Sequence, residues 1–252
     1  IILITSCVLI SILLFLNYFE KEKIYTSKEY NSKRQLIGIN EYVIRNNDTI
    51  LNGKFERFND KGRMISKGQF LNDHVYGYCF YYFDNGKIES LYFRKNSEIN
   101  LECTYYNKKG FVEKYIMCDD YGHTALVVYY DSLGVTNYKG YFLFEKKLHK
   151  LNPKSRSYEQ VEKHLKVGDK LKYSYNVANI PNAKRSFTIE NLGIDNSKVK
   201  RTLKKVEPCQ IDVEEVLTKK GKNTIRSIVR YEFNDGITPA LTDTTFFDIN
   251  IY

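Results

Sequence analysis

The chain has 252 residues, of which 39 are Lys or Arg and 30 are Asp or Glu, so its formal net charge is +9 at neutral pH. A chain of this length can bury adequate hydrophobic cores, so it does not need disulfide bonds to fold stably. The positive balance is compatible with nucleic-acid binding, with contact to an anionic membrane surface or with ordinary solvated charge. The pattern along the chain has to decide among these.

The first nineteen residues, IILITSCVLISILLFLNYF, carry no charge and are long enough to span a bilayer. Residues 1–19 therefore predict a transmembrane signal anchor that leaves the bulk of the chain outside the cytoplasm, in the periplasm or on the cell surface. Two alternatives stay open. A cleaved secretory signal would have a shorter apolar region and small residues at the cut. A lipoprotein would be acylated at Cys7, which follows Ile4-Thr5-Ser6 in a lipobox-like order. Residues 20–50 are predicted to be a connecting segment.

Residues 51–145 repeat with a period of 24 residues. In the copy YYFDNGK, at residues 81–87, two tyrosines run into an Asn-Gly pair. Asn-Gly next to an aromatic run is a strong hairpin signal, and the glycine supplies the positive φ that a tight turn requires. The turn glycines recur in one phase: Gly62, Gly86, Gly110 and Gly134. Four in-phase copies predict four stacked β-hairpins in one sheet.

The repeat unit resembles the MORN-variant repeats of the YwqK-like antitoxin-component family of bacteria. The segments that carry the resemblance are GKFERFNDKGR (53–63), GYCFYYFDNGK (77–87), LECTYYNKKGF (101–111) and ALVVYYDSLGV (125–135). The chain departs from the family pattern because it has no tryptophan, and the leading glycine is present only at Gly53 and Gly77. The resemblance implies a sheet of hairpins and implies no catalytic residues.

The two tyrosines of each copy point to opposite faces of the predicted sheet. A two-residue turn at Asn85-Gly86 would place Cys79 opposite Tyr92, and Tyr81 opposite Ser90. The face of Tyr81, Tyr105 and Tyr129 is mostly apolar and is predicted to be the core side. The other face is mixed, with an aromatic row among polar groups, and is the predicted binding surface. It comprises Tyr82, Tyr106, Tyr130, Glu89 and Glu113. An alternative interpretation is a cross-strand ladder that only stiffens the sheet.

Cys79 and Cys103 occupy equivalent repeat positions, which puts them two strands, or about 9–10 Å, apart. A disulfide needs Cα atoms within about 7 Å. Both are therefore expected to be free, buried thiols that pack as small apolar residues.

Residues 146–166 are rich in Lys and contain Pro153, which predicts a basic linker between domains. The remaining segment, 167–252, alternates apolar and polar residues over six or seven short strands, as in KLKYSYNV and NTIRSIVRYEF. Short strands separated by turn residues are typical of an all-β sandwich. The spacing of its predicted strands and turns loosely resembles that of the immunoglobulin-like modules of exported bacterial surface proteins. The immunoglobulin Cys-Trp-Cys signature is absent. The predicted fold class is thus all-β throughout, preceded by a transmembrane helix.

The sequence contains no Gly-x-Ser-x-Gly, Walker A, His-Glu-x-x-His or Cys-x-x-Cys motif, each of which would indicate a specific chemistry. Two weaker candidates exist. Glu89 and Glu113 stand in phase about 10 Å apart, within reach of the spacing of inverting glycosidases. The stretch CDDYGHT supplies Cys118, Asp119, Asp120 and His123, but an acidic connecting loop explains it equally. No catalytic residue, metal or cofactor is therefore predicted.

These observations predict a non-catalytic, membrane-anchored, exported bacterial protein that binds or scaffolds a protein or glycan partner in the cell envelope through its repeat sheet. Nucleic acid is not an expected partner, because an exported protein rarely meets it. Two rival hypotheses are an envelope hydrolase that uses the carboxylates above and an antitoxin-like immunity protein.

Overall fold

The computed structural model describes residues 22–152, 154–155, 157–160 and 165–252. The predicted anchor at residues 1–19, with Cys7, lies outside them. Among the described residues, no helix is long and apolar enough to cross a membrane. The described chain is an all-β protein built from antiparallel sheets. It divides into two compact units, one up to Tyr76 and one over Gly77–Tyr252.

The first unit is an antiparallel meander in which each strand pairs with the next along the chain. Its strands are β1 (Tyr25–Tyr30), β2 (Leu36–Arg45), β3 (Asp48–Phe58) and β4 (Met64–Leu71). The sequence predicts a connecting segment over 20–50, and this is wrong for β1 and β2. The β2–β3 turn gives no hairpin signal in the sequence because it contains no glycine. Asn46 and Asn47 form it with φ angles of 52° and 69°, which Asn tolerates better than most residues.

The second unit contains another meander, whose first strand starts just before Gly77 and in which neighbouring strands again follow chain order. Its strands are β5 (His74–Tyr82), β6 (Ile88–Arg94), β7 (Asn100–Tyr106), β8 (Val112–Cys118), β9 (Thr124–Tyr130) and β10 (Val135–Gly140). Each predicted hairpin of this segment is present as a strand pair.

The predicted turn glycines all have positive φ angles, as the repeat requires. The values are 71° at Gly62, 80° at Gly86, 94° at Gly110 and 141° at Gly134. The turn itself is one residue longer than predicted. In the β5–β6 turn, the Phe83 N–H donates to the Lys87 carbonyl at 2.9 Å, and the Gly86 N–H donates to the Phe83 carbonyl at 2.9 Å. This is a three-residue loop whose last residue is left-handed, a common hairpin geometry.

The longer turn shifts the pairing by one residue next to it. Cys79 lies opposite Tyr92 and Tyr81 lies opposite Ser90, as predicted. Beyond Tyr81 the register shifts at a bulge, so Tyr82 pairs with Ile88 rather than with Glu89. Because a bulge absorbs the extra residue, side chains farther from the turn lie on the same faces that a two-residue turn predicts.

The remaining strands form two antiparallel sheets. One has the order β12-β11-β13-β16-β15, and the other has the order β14-β17-β18. Their bounds are β11 (Leu143–Asn152), β12 (Ser157–Gln160), β13 (Lys170–Val177), β14 (Ala183–Asn191), β15 (Arg201–Val206), β16 (Gln210–Val216), β17 (Gly221–Phe233) and β18 (Leu241–Ile251), with a 3-10 turn at Asn196–Lys198.

Strand β11 corrects the prediction of a basic linker at 146–166. Residues up to Asn152 belong to this strand, which pairs with β13 on one side and β12 on the other. Charge does not prevent pairing here, since two of the lysines form ion pairs with acidic residues of neighbouring turns. Lys146 Nζ lies 2.6 Å from Asp120, and Lys150 Nζ lies 2.7 Å from Asp169.

One hydrophobic core joins the meander of the second unit to the two C-terminal sheets. Tyr115 and Met117 of β8, and Leu126 and Val128 of β9, belong to this core. The C-terminal strands contribute, among others, Leu171, Tyr173, Tyr175, Val213, Ile225, Val229 and Tyr231. The repeats of this unit and the C-terminal segment therefore do not fold around separate cores, which the predicted boundary at 145 would require.

A buried ion pair lies between the two C-terminal sheets. Glu215 of β16 is 1% exposed, and its Oε2 accepts from Arg201 Nε at 2.8 Å and from the Tyr173 hydroxyl at 2.8 Å. Asn191 of β14, in the other sheet, donates to Glu215 Oε1 at 3.0 Å. Each charge thus has the partners that a buried ion requires.

Candidate binding surface

The five residues of the predicted binding surface do not form one exposed surface. Glu89 and Glu113 are exposed, and Tyr82 is half-buried. Tyr106 is half-buried and lines clefts on the side of the C-terminal sheets. Tyr130 packs against the hydrophobic core, and its hydroxyl donates to the Pro181 carbonyl at 3.3 Å.

The two faces of the meander are reversed at its C-terminal end relative to the prediction. Tyr129 is 44% exposed, whereas Tyr130 packs against the core. Leu126 and Val128, on the face of Tyr130, are fully buried. The run ALVVYY is apolar on both faces of β9, so alternation could not reveal which face the C-terminal sheets cover.

The candidate chemical clusters have structural roles. Asp119 opens the β8–β9 turn and accepts from the backbone N–H groups of Tyr121 and His123, each at 2.9 Å. Asp120 is paired with Lys146. Within the described part of the chain, no group of three or more His, Cys, Asp or Glu side chains could hold a metal ion.

A ladder of three tyrosines lies on the other face of the meander. The Tyr81 and Tyr92 rings meet edge-to-face at 5.4 Å, and the Tyr92 and Tyr105 rings do so at 5.9 Å. The Tyr92 and Tyr105 hydroxyls are 3.2 Å apart. Edge-to-face pairs of this kind are favourable beyond the area they bury. The ladder is therefore a fixed row of half-buried rings across β5, β6 and β7.

Small residues under the ladder explain why the tyrosines lie over the sheet. Cys79, Ser90 and Cys103 are 0%, 6% and 5% exposed, and each is the cross-strand or next neighbour of a ladder tyrosine. The predicted burial of Cys79 and Cys103 as free thiols is confirmed. Burial raises the pKa of the Cys103 thiol to about 12, so the thiol is an inert packing group at neutral pH.

Cationic side chains surround the ladder. Arg94 donates from its Nη2 to the Tyr81 hydroxyl at 3.1 Å, and its guanidinium carbon lies 5.4 Å from the Tyr92 ring centre. Lys114 Nζ lies 4.4 Å from the ring centre of Tyr105. These are cation–π distances.

From β5 to β10 the same face has no Asp or Glu at its paired positions. Cross-strand partners share a face, and the pairs lead from Tyr105 to Lys114, from Lys114 to Tyr129, and from Val127 to the exposed Lys139. We call this surface the tyrosine face, defined by Tyr81, Tyr92, Tyr105, Tyr129, Arg94, Lys114 and Lys139. Its paired strand positions contain three cations and no Asp or Glu.

The tyrosine face contains residues that the repeat phase does not reveal. Tyr92 and Arg94 follow the turn and have no counterpart in the aromatic pairs that define the period. The pairing within the hairpin does indicate the position of Tyr92, because it places Tyr92 opposite Cys79 and hence on the face of Tyr81. Chemically, the face offers aromatic rings and fixed positive charges, which suit recognition of an anionic or flat partner.

Comparison with known proteins adds little to this picture. No protein-family model matches the chain, and no curated protein matches it. A solved structure to which the chain is similar is the crystal structure of the S-layer protein SbsC domains 4 and 5. The identity is 9%, the match covers 91% of this chain and 97% of that one, and the TM-score is 0.23. A likeness with this TM-score carries no argument about fold or function.

Proposed function

We propose that the chain is a non-catalytic, membrane-anchored, exported protein that binds or scaffolds an anionic partner, a protein or a glycan, in the cell envelope. The tyrosine face is the contact surface. The proposal includes a transmembrane anchor at residues 1–19, MORN-like hairpin repeats and an immunoglobulin-like C-terminal sandwich.

The observation that carries the proposal is the composition of the tyrosine face. Tyrosine is favoured at contact surfaces because it has an apolar body, a polar tip and few rotatable bonds. The ladder rings are already held by each other and by Arg94, so little side-chain entropy is lost on binding. Three cations without an intervening carboxylate favour a negatively charged partner.

Charge reversal tests the surface with every ladder tyrosine kept, although it also removes the cation–π contact between Lys114 and the Tyr105 ring. The full-length chain, tagged and held in a mild detergent, would be used to capture partners from a bacterial envelope extract. The double variant Lys114→Glu/Lys139→Glu should weaken retention about tenfold, equivalent to about 1.4 kcal/mol. High salt should weaken wild-type retention as well, because the Debye length falls to about 3 Å at 1 M.

The matched control is Lys200→Glu/Lys204→Glu, which changes the net charge equally at exposed positions before and in β15. This variant should retain the partner as the wild type does. Equal loss in both variants, or loss in neither, would overturn the assignment of the tyrosine face. Identification of the captured partner as a toxin would favour an antitoxin-like immunity function instead.

A further inference from the structure

A cleft of about 470 Å³ lies on the opposite side of the meander from the tyrosine face. It is bordered by β7 and β8, by the segment after β13, and by the turn before β16, all within the second unit. Its volume falls in the range of small-ligand sites. The repeat period does not point to it, and Tyr106 is the one predicted binding-surface residue that lines it.

The innermost polar group of the cleft is the carboxyl of Glu102. The residue is 8% exposed. Its Oε1 accepts from the Tyr115 hydroxyl at 2.5 Å and from Asn179 Nδ2 at 3.0 Å. Both of these side-chain hydrogen bonds reach Oε1, and among the described residues no side chain donates to Oε2. A carboxyl oxygen that has no side-chain donor and lies at a cleft surface is an acceptor for a ligand donor.

The surrounding groups hold this carboxyl rigidly. Arg185 Nη1 donates to Asn179 Oδ1 at 2.7 Å and to the carbonyls of Val177 and Ala178 at 2.8 and 3.1 Å. Asn179 is thereby fixed against Glu102. Burial raises the pKa of Glu102, while the hydrogen bonds from Tyr115 and Asn179 and the charge of Arg185 oppose that rise. The site is thus built before any ligand arrives, which is the usual state of a specific small-ligand site.

The charge balance of the cleft indicates the class of ligand. Two cations, Arg185 and Lys205, line it together with two acids, Glu102 and Glu207, so a strongly charged ligand gains no net attraction. Tyr78 and Tyr106 also line the cleft, and neither hydroxyl has a hydrogen-bond partner among the described residues. The cleft therefore combines aromatic surface with unused donors and acceptors.

We propose that this cleft binds an uncharged, hydroxyl-rich ligand, a single sugar unit of a glycan. Glu102 Oε2 accepts from one ligand hydroxyl, the Tyr78 and Tyr106 hydroxyls bond to others, and the tyrosine rings cover the apolar C–H surface of the sugar. This goes beyond the proposed function, because the cleft and the tyrosine face lie on opposite faces of the sheet.

Saturation-transfer NMR on the full-length chain in detergent tests the site directly. The probes are glucose, galactose and N-acetylglucosamine, each titrated alone. We expect at least one to bind saturably below about 10 mM, as a weak single-sugar site would. Glu102→Gln keeps the Oε1 acceptor for Tyr115 and Asn179 but places an N–H donor where Oε2 stands. It should weaken that binding about tenfold.

The controls separate the site from stability and from the other surface. Glu89→Gln, an exposed carboxyl that lines no part of the cleft, should bind sugar as the wild type does. If Glu102→Gln lowers the melting temperature, Tyr106→Phe removes a cleft hydroxyl instead and should show a loss of the same sign. Lys114→Glu/Lys139→Glu should leave sugar binding intact even if partner retention is lost. Absence of saturable binding for all three sugars, or wild-type affinity in Glu102→Gln and Tyr106→Phe, would overturn the proposal.

Discussion

Replacing Gly140 with alanine should destabilise the second unit far more than an ordinary glycine substitution. Gly140 has a φ of 109°, where a non-glycine residue costs about 1–2 kcal/mol. A Cβ atom there would also lie 2.0 Å from the backbone carbonyl oxygen of Ala125. That carbonyl accepts from the Tyr141 N–H at 3.0 Å, so relieving the overlap breaks a hydrogen bond that contributes about 1 kcal/mol. The expected total is about 3 kcal/mol.

Gly86→Ala is the matched control because it isolates the cost of the backbone conformation. Gly86 has a φ of 80°, but no atom lies within 4 Å of the position its Cβ would take. Gly86→Ala should lower the free energy of unfolding by about 1 kcal/mol. Urea denaturation of both full-length variants in detergent, followed by circular dichroism, measures the difference. If Gly140→Ala is no more destabilising than Gly86→Ala, the close approach of β10 to β9 is not as described.

Three further outcomes are expected. Only the thiolate form of cysteine reacts, and the pKa of Cys103 is raised from 9.0 to about 12. Alkylation of this thiol at pH 8 should therefore be about a thousandfold slower in the folded chain than in urea. Peptide mass spectrometry measures the two rates. Arg201→Met should cost about 3–5 kcal/mol in urea melts because Glu215 stays buried and unpaired, whereas Arg201→Met/Glu215→Leu should recover most of that loss. Residues 1–19 should hold the chain in the membrane fraction after carbonate washing. A lipoprotein would instead be attached through acylated Cys7, so loss of acylation in Cys7→Ser would refute the transmembrane anchor.

The local structure could be predicted wherever glycine and aromatic residues marked it. Gly86 and its repeat equivalents have the positive φ angles that the period requires, and Cys79 pairs with Tyr92. The turn at Asn46–Asn47 carries no such mark, because asparagine takes the place of glycine at positive φ. These successes and failures follow from short-range turn chemistry.

The faces of the sheet could not be predicted, because they depend on contacts between distant parts of the chain. Nothing near Glu102 in the sequence marks it as buried, yet Asn179, 77 residues later, hydrogen bonds to it. Likewise, Tyr130 is partly buried because it packs against the shared core, where its hydroxyl donates to the Pro181 carbonyl. The cleft is assembled from such contacts, so a repeat period alone contains no signal for it.

The core shared by β8, β9 and the C-terminal sheets has a consequence for how this protein could have evolved. Hairpin arrays ordinarily gain or lose units by duplication, since each unit contacts only its neighbours. The hairpins that carry Tyr115, Met117, Leu126 and Val128 are not interchangeable in this way, because these side chains are buried against one specific C-terminal segment. Related chains with more or fewer hairpins should therefore differ upstream of β8, and the last hairpins should be inherited together with the strands that follow them.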